Sequence, residues 1–256
     1  SVYGYCDTTT CPLSQVTSTT GDITINSNRQ ASWNGGTNTV SFNTAGKFTL
    51  QPTATTGFVQ MNYGDYRFSS DMTGLTIGKD QTTDTFYLRD LYPNIKIAGP
   101  IRVYAASVDV RGNLESTGAG SEIRIKTVDR IYVYTSKTIT SNGGDIVFWG
   151  NSSKVSGVNK AGGMIYLESS VALNSKGGKI WLAGGLDDGG TDASITSSRG
   201  KWSTVVSGDG LPDGYATGYN ATDAWRIGVF MNSSSSLKSG GGDIFIAGME
   251  AAAGSS

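Results

Sequence analysis

Few side chains in this sequence are placed to do chemistry. Histidine is absent from all 256 residues. Its absence removes a Ser-His-Asp triad, a Cys-His pair and any His-ligated metal site. Two cysteines, Cys6 and Cys11, enclose Asp-Thr-Thr-Thr. The spacing is too short for a zinc ribbon and further ligands are missing. It reads as a small disulfide loop made in an oxidising compartment, with two free thiols as the alternative. Acidic residues gather in two glycine-rich loops, one with Asp187, Asp188 and Asp192, the other with Asp209 and Asp213. Carboxylates and loop carbonyls are the oxygen donors that Ca2+ takes. Neither loop has EF-hand spacing or the calcium-binding nonapeptide repeat, and ordinary Asx turns are the simpler reading.

A polysaccharide-cleaving site would need two carboxylates at a defined separation. Asp22, Glu122, Asp145 and Asp243 instead recur just after a turn, as solvent-facing decoration would. No catalytic residue is assigned, and the chain is expected not to be an enzyme. Threonines cluster at 8–10, 17–20 and 53–56, but not at the regular period of an ice-binding ladder. Asn151, Asn220 and Asn232 begin N-glycosylation sequons, a pattern that a Ser/Thr-rich chain produces by chance.

The elements that position these residues are strands. Apolar residues are 37% and aromatic ones 10%, too many for a solvated coil, so a core is buried. Charged residues are 16% and the net charge is −1, which gives no electrostatic footprint for nucleic acid or an anionic membrane. No run of about 18 apolar residues exists to span a bilayer. The opening Ser1-Val-Tyr-Gly-Tyr does not read as a signal peptide, so a mature or excised segment is expected. The length suits one all-β domain over 1–256.

Apolar residues alternate with polar ones in short runs, among them Ile101/Val103, Ile123/Ile125 and Ile131/Val133. Period-two runs bounded by Gly, Asn and Ser are strands. A phrase also repeats. Gly143-Gly144-Asp145-Ile146-Val147-Phe148 returns with Gly162-Gly163, Gly177-Gly178 and Gly241-Gly242, and more weakly at Gly21 and Gly120. Paired glycines let the backbone turn a tight corner, and the isoleucine and the apolar residue two places on point inward. Ile146/Phe148, Ile165/Leu167, Ile180/Leu182 and Ile244/Ile246 are therefore expected to stack in one interior column. The intervals from Ser121 to Gly144, Gly163 and Gly178 each suit a single coil. The long interval from Gly178 to Gly242 suits three coils, or fewer with insertions. Val147, Tyr166, Trp181 and Phe245 would point outward. Tyr166 and Trp181 on adjacent coils form a candidate glycan contact, with a covering loop as the simpler alternative. Segments within 184–224 read as insertions, and residues 1–90 carry a fainter pattern.

Three passages carry a resemblance. Leu75-Thr-Ile-Gly-Lys79, Ile97-Ala-Gly-Pro-Ile-Arg-Val-Tyr104 and Ile139-Thr-Ser-Asn-Gly-Gly-Asp-Ile-Val-Phe-Trp149 resemble repeats of giant secreted surface proteins of Bacteroidetes, including gliding-motility-type adhesins exported by type IX secretion. Ser239–Gly248 fits the same pattern, and the glycine phrase is also similar to the trunk of filamentous-haemagglutinin-like adhesins. The resemblance covers about residues 45–250. It implies a β-solenoid segment of a long extracellular or cell-surface fibre, active in attachment, movement or filament building, without catalysis. Asp7-Thr8-Thr9 resembles a short O-glycan acceptor of the same bacteria.

The expected fold is thus all-β, a right-handed parallel β-solenoid of ten or more coils with loop insertions. Open solenoid ends are exposed sheet edges. The expected partners are neighbouring repeats or identical subunits stacked end to end, and surface glycans, with no nucleic acid and no membrane span. A carbohydrate-binding module and a polysaccharide-degrading β-helix are the alternatives.

Overall fold

The computed structural model describes residues 14–26, 40–51, 62–63, 66–80, 87–91, 94–152, 163–187, 207–218 and 226–250. Cys6, Cys11, Asp188, Asp192, the 7–9 acceptor and the Asn220 sequon lie outside these residues, as do threonines 8–10 and 53–56. Strands are numbered along the chain.

The described residues are all-β with almost no helix. The longest sheet has eight parallel strands in the order β2 (Ile23–Asn26), β4 (Lys47–Gln51), β7 (Gly74–Ile77), β10 (Ile101–Ala105), β13 (Ile123–Thr127), β16 (Ile146–Gly150), β19 (Ile180–Gly184) and β23 (Ile244–Ile246). A six-stranded sheet runs β21 (Val229–Met231), β17 (Ile165–Leu167), β14 (Ile131–Val133), β11 (Ser107–Val110), β8 (Tyr87–Leu91) and β5 (Asn62–Tyr63). A five-stranded sheet runs β22 (Ser236–Lys238), β18 (Ala172–Asn174), β15 (Thr138–Asn142), β12 (Leu114–Ala119) and β9 (Ile95–Ile97). Near the start, β1 (Ser14–Thr17), β3 (Val40–Asn43) and β6 (Tyr66–Phe68) form a three-stranded sheet. A pair joins β20 (Ala216–Thr217) to β24 (Gly248–Met249).

From β7 to β19 the chain visits the eight-, six- and five-stranded sheets in strict rotation, and every strand pairing is parallel. This arrangement is consistent with a parallel β-helix-like fold. Each circuit adds one strand to each sheet. The same inward position passes from Ile23 to Phe48, Leu75, Ile101, Ile123 and Ile146 at nearly even intervals along the chain. The next two steps, to Ile180 and then to Ile244, are longer.

Alternation explains the core. On β13 the odd positions Ile123 and Ile125 are fully buried, while Arg124 and Lys126 face outward. One strand buries only two such residues, about 1.5–3 kcal/mol each, so stability comes from stacking circuits on one another. The corners are built from a serine and glycines. Ser141 Oγ donates to the carbonyl of Gly144 at 2.5 Å, and Ser175 Oγ repeats this with Gly178.

Three expectations need correction. Ile165 and Leu167 do not join the column of Ile146 and Ile180; they lie in β17 of the six-stranded sheet. A glycine corner is a local requirement that arises wherever backbones approach, and Gly163 meets it at another corner, against Asn151. The steps from Gly144 to Gly163 and on to Gly178 are therefore parts of one circuit. The long interval from Gly178 to Gly242 is one circuit with an insertion that carries β20, the second of the two readings its length allowed. Among the described residues the long sheet counts eight strands, where ten or more coils are expected from sequence. The region of fainter pattern also contributes to that sheet, through β2, β4 and β7. Aromatic rings take part of the core there: Phe42 lies 4.5 Å from Phe48 and 5.3 Å from Tyr66.

Candidate functional site

The outer wall of the eight-stranded sheet changes character along its length. One outward column reads Thr24, Thr49, Thr76, Arg102, Arg124, Val147, Trp181 and Phe245. Three threonines are thus in register after all, but Arg102 ends the run. Glu122 pairs with Arg102 at 2.7 Å and with Arg124 at 3.0 Å. Beyond Arg124 the wall is apolar. Trp181 stacks on Phe245 with ring centroids 3.9 Å apart, and Lys126 lies 4.0 Å over the Trp149 ring.

That apolar half is covered. Val147, Trp149 and Trp181 form a second buried cluster outside the sheet, with Leu211 and Phe245 packed against it. Leu211 belongs to the 207–213 segment. Arg124 Nη1 donates to the carbonyl of Gly210 at 2.6 Å, and Trp149 Nε1 donates to that of Gly185 at 2.7 Å. Trp181 is only 5% exposed, as the simpler reading of a covering loop has it. Period two places a side chain on the outer face but does not say whether another segment lies on that face. Its indole N–H has no hydrogen-bond partner among the described residues. Such a loss costs about 1–3 kcal/mol, which the ring stacking helps to offset.

The two acidic loops meet here. Carboxylate oxygens of Asp187, Asp209 and Asp213 all lie within 4.8 Å of one another, and Asp213 is buried. Asp187 brings the 207–213 segment to the end of β19. Its two oxygens accept N–H bonds from Gly208 at 2.5 Å and Gly210 at 2.8 Å, and Asp209 accepts from the Leu211 N–H at 2.9 Å. Three carboxylates are donors of the kind Ca2+ takes. The hydrogen bonds observed give Asp187 a structural task, to latch the cover over Trp181. Asp187→Ala is expected to lift this cover at a cost of about 1.5–3 kcal/mol, typical of hydrogen bonds to a charged group. Tryptophan emission would move to the red and quenching by acrylamide would rise. An unchanged spectrum in a folded variant would disprove the latch.

Tyr166 and Trp181 are not neighbours, which corrects the proposed pair. Tyr166 lies on the six-stranded sheet, between Tyr132 and Phe230. The Tyr132 and Tyr166 rings are 4.8 Å apart and within 1° of parallel, and Tyr166 to Phe230 is 4.8 Å at 20°. The rings spend their faces on one another, and a sugar stacks on a ring face. Around this ladder Arg111 lies 3.9 Å over the Tyr134 ring, and Tyr132 O–H donates to Glu168. Glu168 also accepts from the Thr135 N–H at 2.6 Å and hydroxyl at 2.8 Å. Burial alone would raise the Glu168 carboxyl, but these hydrogen bonds and nearby Arg111 outweigh it and hold it below the usual carboxylate range. Burial first, and then the bond to Glu168, pushes the Tyr132 hydroxyl well above its own range.

Sequence reading missed the serine of the corner. Its signal is present as Ser-x-x-Gly before the inward isoleucine, at Ser141, Ser175 and Ser239. Among the described residues no helix is long and apolar enough to cross a membrane. Comparison with known proteins finds no matching family model, no matching curated protein and no matching solved structure.

Proposed function

We propose that this chain is a right-handed parallel β-solenoid that serves as a rigid, stackable rod segment of an extracellular or cell-surface fibre, without catalysis. One observation carries the reading. The interior column is unbroken from Ile23 to Ile180, and on the last rung of the described residues Ile244 is 42% exposed and Ile246 51% exposed. A closed domain would cover those side chains; a stacked rod continues over them. Parallel crossovers are right-handed in nearly all cases, which sets the hand. At about 4.8 Å per strand, eight strands make a segment of roughly 34 Å, a length useful only when many are joined. The resemblance of residues 75–104, 139–149 and 239–248 to secreted Bacteroidetes adhesin repeats supports a secreted location and a role in attachment or surface movement. Neighbouring repeats or identical subunits are the partners. A carbohydrate-binding module is disfavoured because Trp181 is covered and the Tyr166 ring stacks between two others.

Electron microscopy of the native material, labelled with an antibody to this segment, tests the reading. Label along fibres or surface filaments is expected. Label confined to isolated compact particles would overturn it.

A further inference from the structure

We infer that the β23 end of this chain is a docking surface for the β2 end of a second copy, which adds as the next rung; this rests on the stackable-rod reading above.

The two end rungs carry the same phrase. Ser18-Thr-Thr-Gly-Asp-Ile-Thr-Ile25 opens the long sheet and Ser239-Gly-Gly-Gly-Asp-Ile-Phe-Ile246 closes it. Placing one after the other sets Ser239 beside Ser18, Asp243 beside Asp22, and Ile244 and Ile246 beside Ile23 and Ile25. The chain already uses this register between β16 and β19, where Ile146 faces Ile180 and Phe148 faces Leu182.

Three features of the internal rungs then recur at the ends. The first is the aspartate. Asp22 Oδ1 accepts the N–H of Lys47 on the following rung at 2.8 Å, and Asp145 Oδ1 accepts that of Lys179 at 2.7 Å. Asp243 is exposed on the last rung, at the same place. The N–H it would accept is that of Asp22 in the second copy. The second is the serine. Ser141 Oγ reaches the Ser175 carbonyl on the next rung at 3.3 Å, and Ser175 Oγ reaches that of Ser239 at 3.2 Å. Ser239 in turn would face Ser18.

The third feature is a glycine. Five of the seven later rungs carry one where they cross the rung before, and Thr73 and Ser121 hold the place on the other two. A Cβ on Gly144 would lie 2.2 Å from the Ser121 oxygen, on Gly178 2.2 Å from that of Gly144, and on Gly242 2.2 Å from that of Gly178. Gly21 holds this position on the first rung. Among the described residues a Cβ there would meet only Ser18 Oγ, at 2.9 Å, a side chain that can turn away. Inside one copy, then, no backbone among the described residues demands glycine at 21. The Gly242 carbonyl of a preceding copy would come to lie against it, as that of Gly178 lies against Gly242. The receiving end is the less open of the two, with Ile23 buried and Ile25 half-buried.

Such a contact joins unlike surfaces and does not close on itself, so it builds filaments. Sedimentation velocity on the purified full chain tests it. Self-association that grows with concentration is expected, and a chain that stays monomeric would overturn the inference. Doubly substituted Ile244→Asp/Ile246→Asp and, separately, Gly21→Ala are each expected to weaken association by roughly 100-fold. Circular dichroism and thermal melting would show that both remain folded. Mixing the two variants is expected to restore dimers and nothing larger, because one intact head meets one intact tail. Dimers formed by either variant alone would show a contact between like ends and would also overturn it. Labelled native fibres together with a monomeric purified chain would leave the rod reading standing and remove only this inference.

Discussion

Gly178→Val is expected to break the stack at its middle. The added Cβ would lie 2.2 Å from the carbonyl oxygen of Gly144 and 2.4 Å from its carbon. Both atoms are backbone, so no side chain can move aside. The β16–β19 pairing, five residues long, would have to open locally. Overpacking of a tight interior costs about 1–3 kcal/mol where side chains can give, and a backbone clash stands at or above the top of that range. The neighbouring corner supplies a control. Gly143 has φ of +84° and its Cβ would find its nearest neighbour at 3.8 Å. Gly143→Ala should therefore cost only the strain of the left-handed backbone, about 1–2 kcal/mol. Urea unfolding followed by circular dichroism compares the two. Equal losses would show that the close approach at Gly178 costs no more than the left-handed backbone at Gly143.

Phe148→Ala should cost about 3–5 kcal/mol, because a fully buried ring is removed and its neighbours can collapse only partly. Its inward position lies between Ile125 and Leu182 on adjacent strands, which are themselves fully buried. Phe148 is among the largest buried side chains of the core, and adjacent circuits cannot approach to fill the gap without losing their strand pairing. Phe245→Ala removes the same atoms from the outer wall, where the ring is half-buried and stacks on Trp181. A smaller loss is expected there, about 1–2 kcal/mol. Chemical denaturation with matched slopes separates the two. A Phe148 loss no greater than that of Phe245 would show that the interior ring holds the circuits together no better than the wall ring does.

The pair Ile101/Val103 shows how much was legible before any coordinates. Both residues are fully buried, and Arg102 between them faces out, as alternation requires. The same holds for Ile123/Ile125 and Ile131/Val133. The glycine phrase likewise marked true corners at 144, 178 and 242. The candidate site was only partly legible. Both acidic loops stood out, yet nothing local to Asp187 announces that Asp209 and Asp213 return to it from a separate segment of the chain.

By itself the sequence determined the strands, their inward faces and the places where the backbone must turn. These follow from local rules, since alternation sorts neighbouring side chains and glycine admits close approach. Tertiary structure alone decided which sheet each strand joins. Gly163 and Gly178 carry the same phrase but lead into different sheets, because a turn signal states that the chain bends and not which strand receives it. It also decided which outward residues are covered. Val147 and Trp181 alternate like wall residues, and the return of the 207–213 segment, from well beyond the end of β19, helps Phe245 to bury them. Burial depends on every segment that reaches a surface, whereas a strand pattern reports only the strand that carries it.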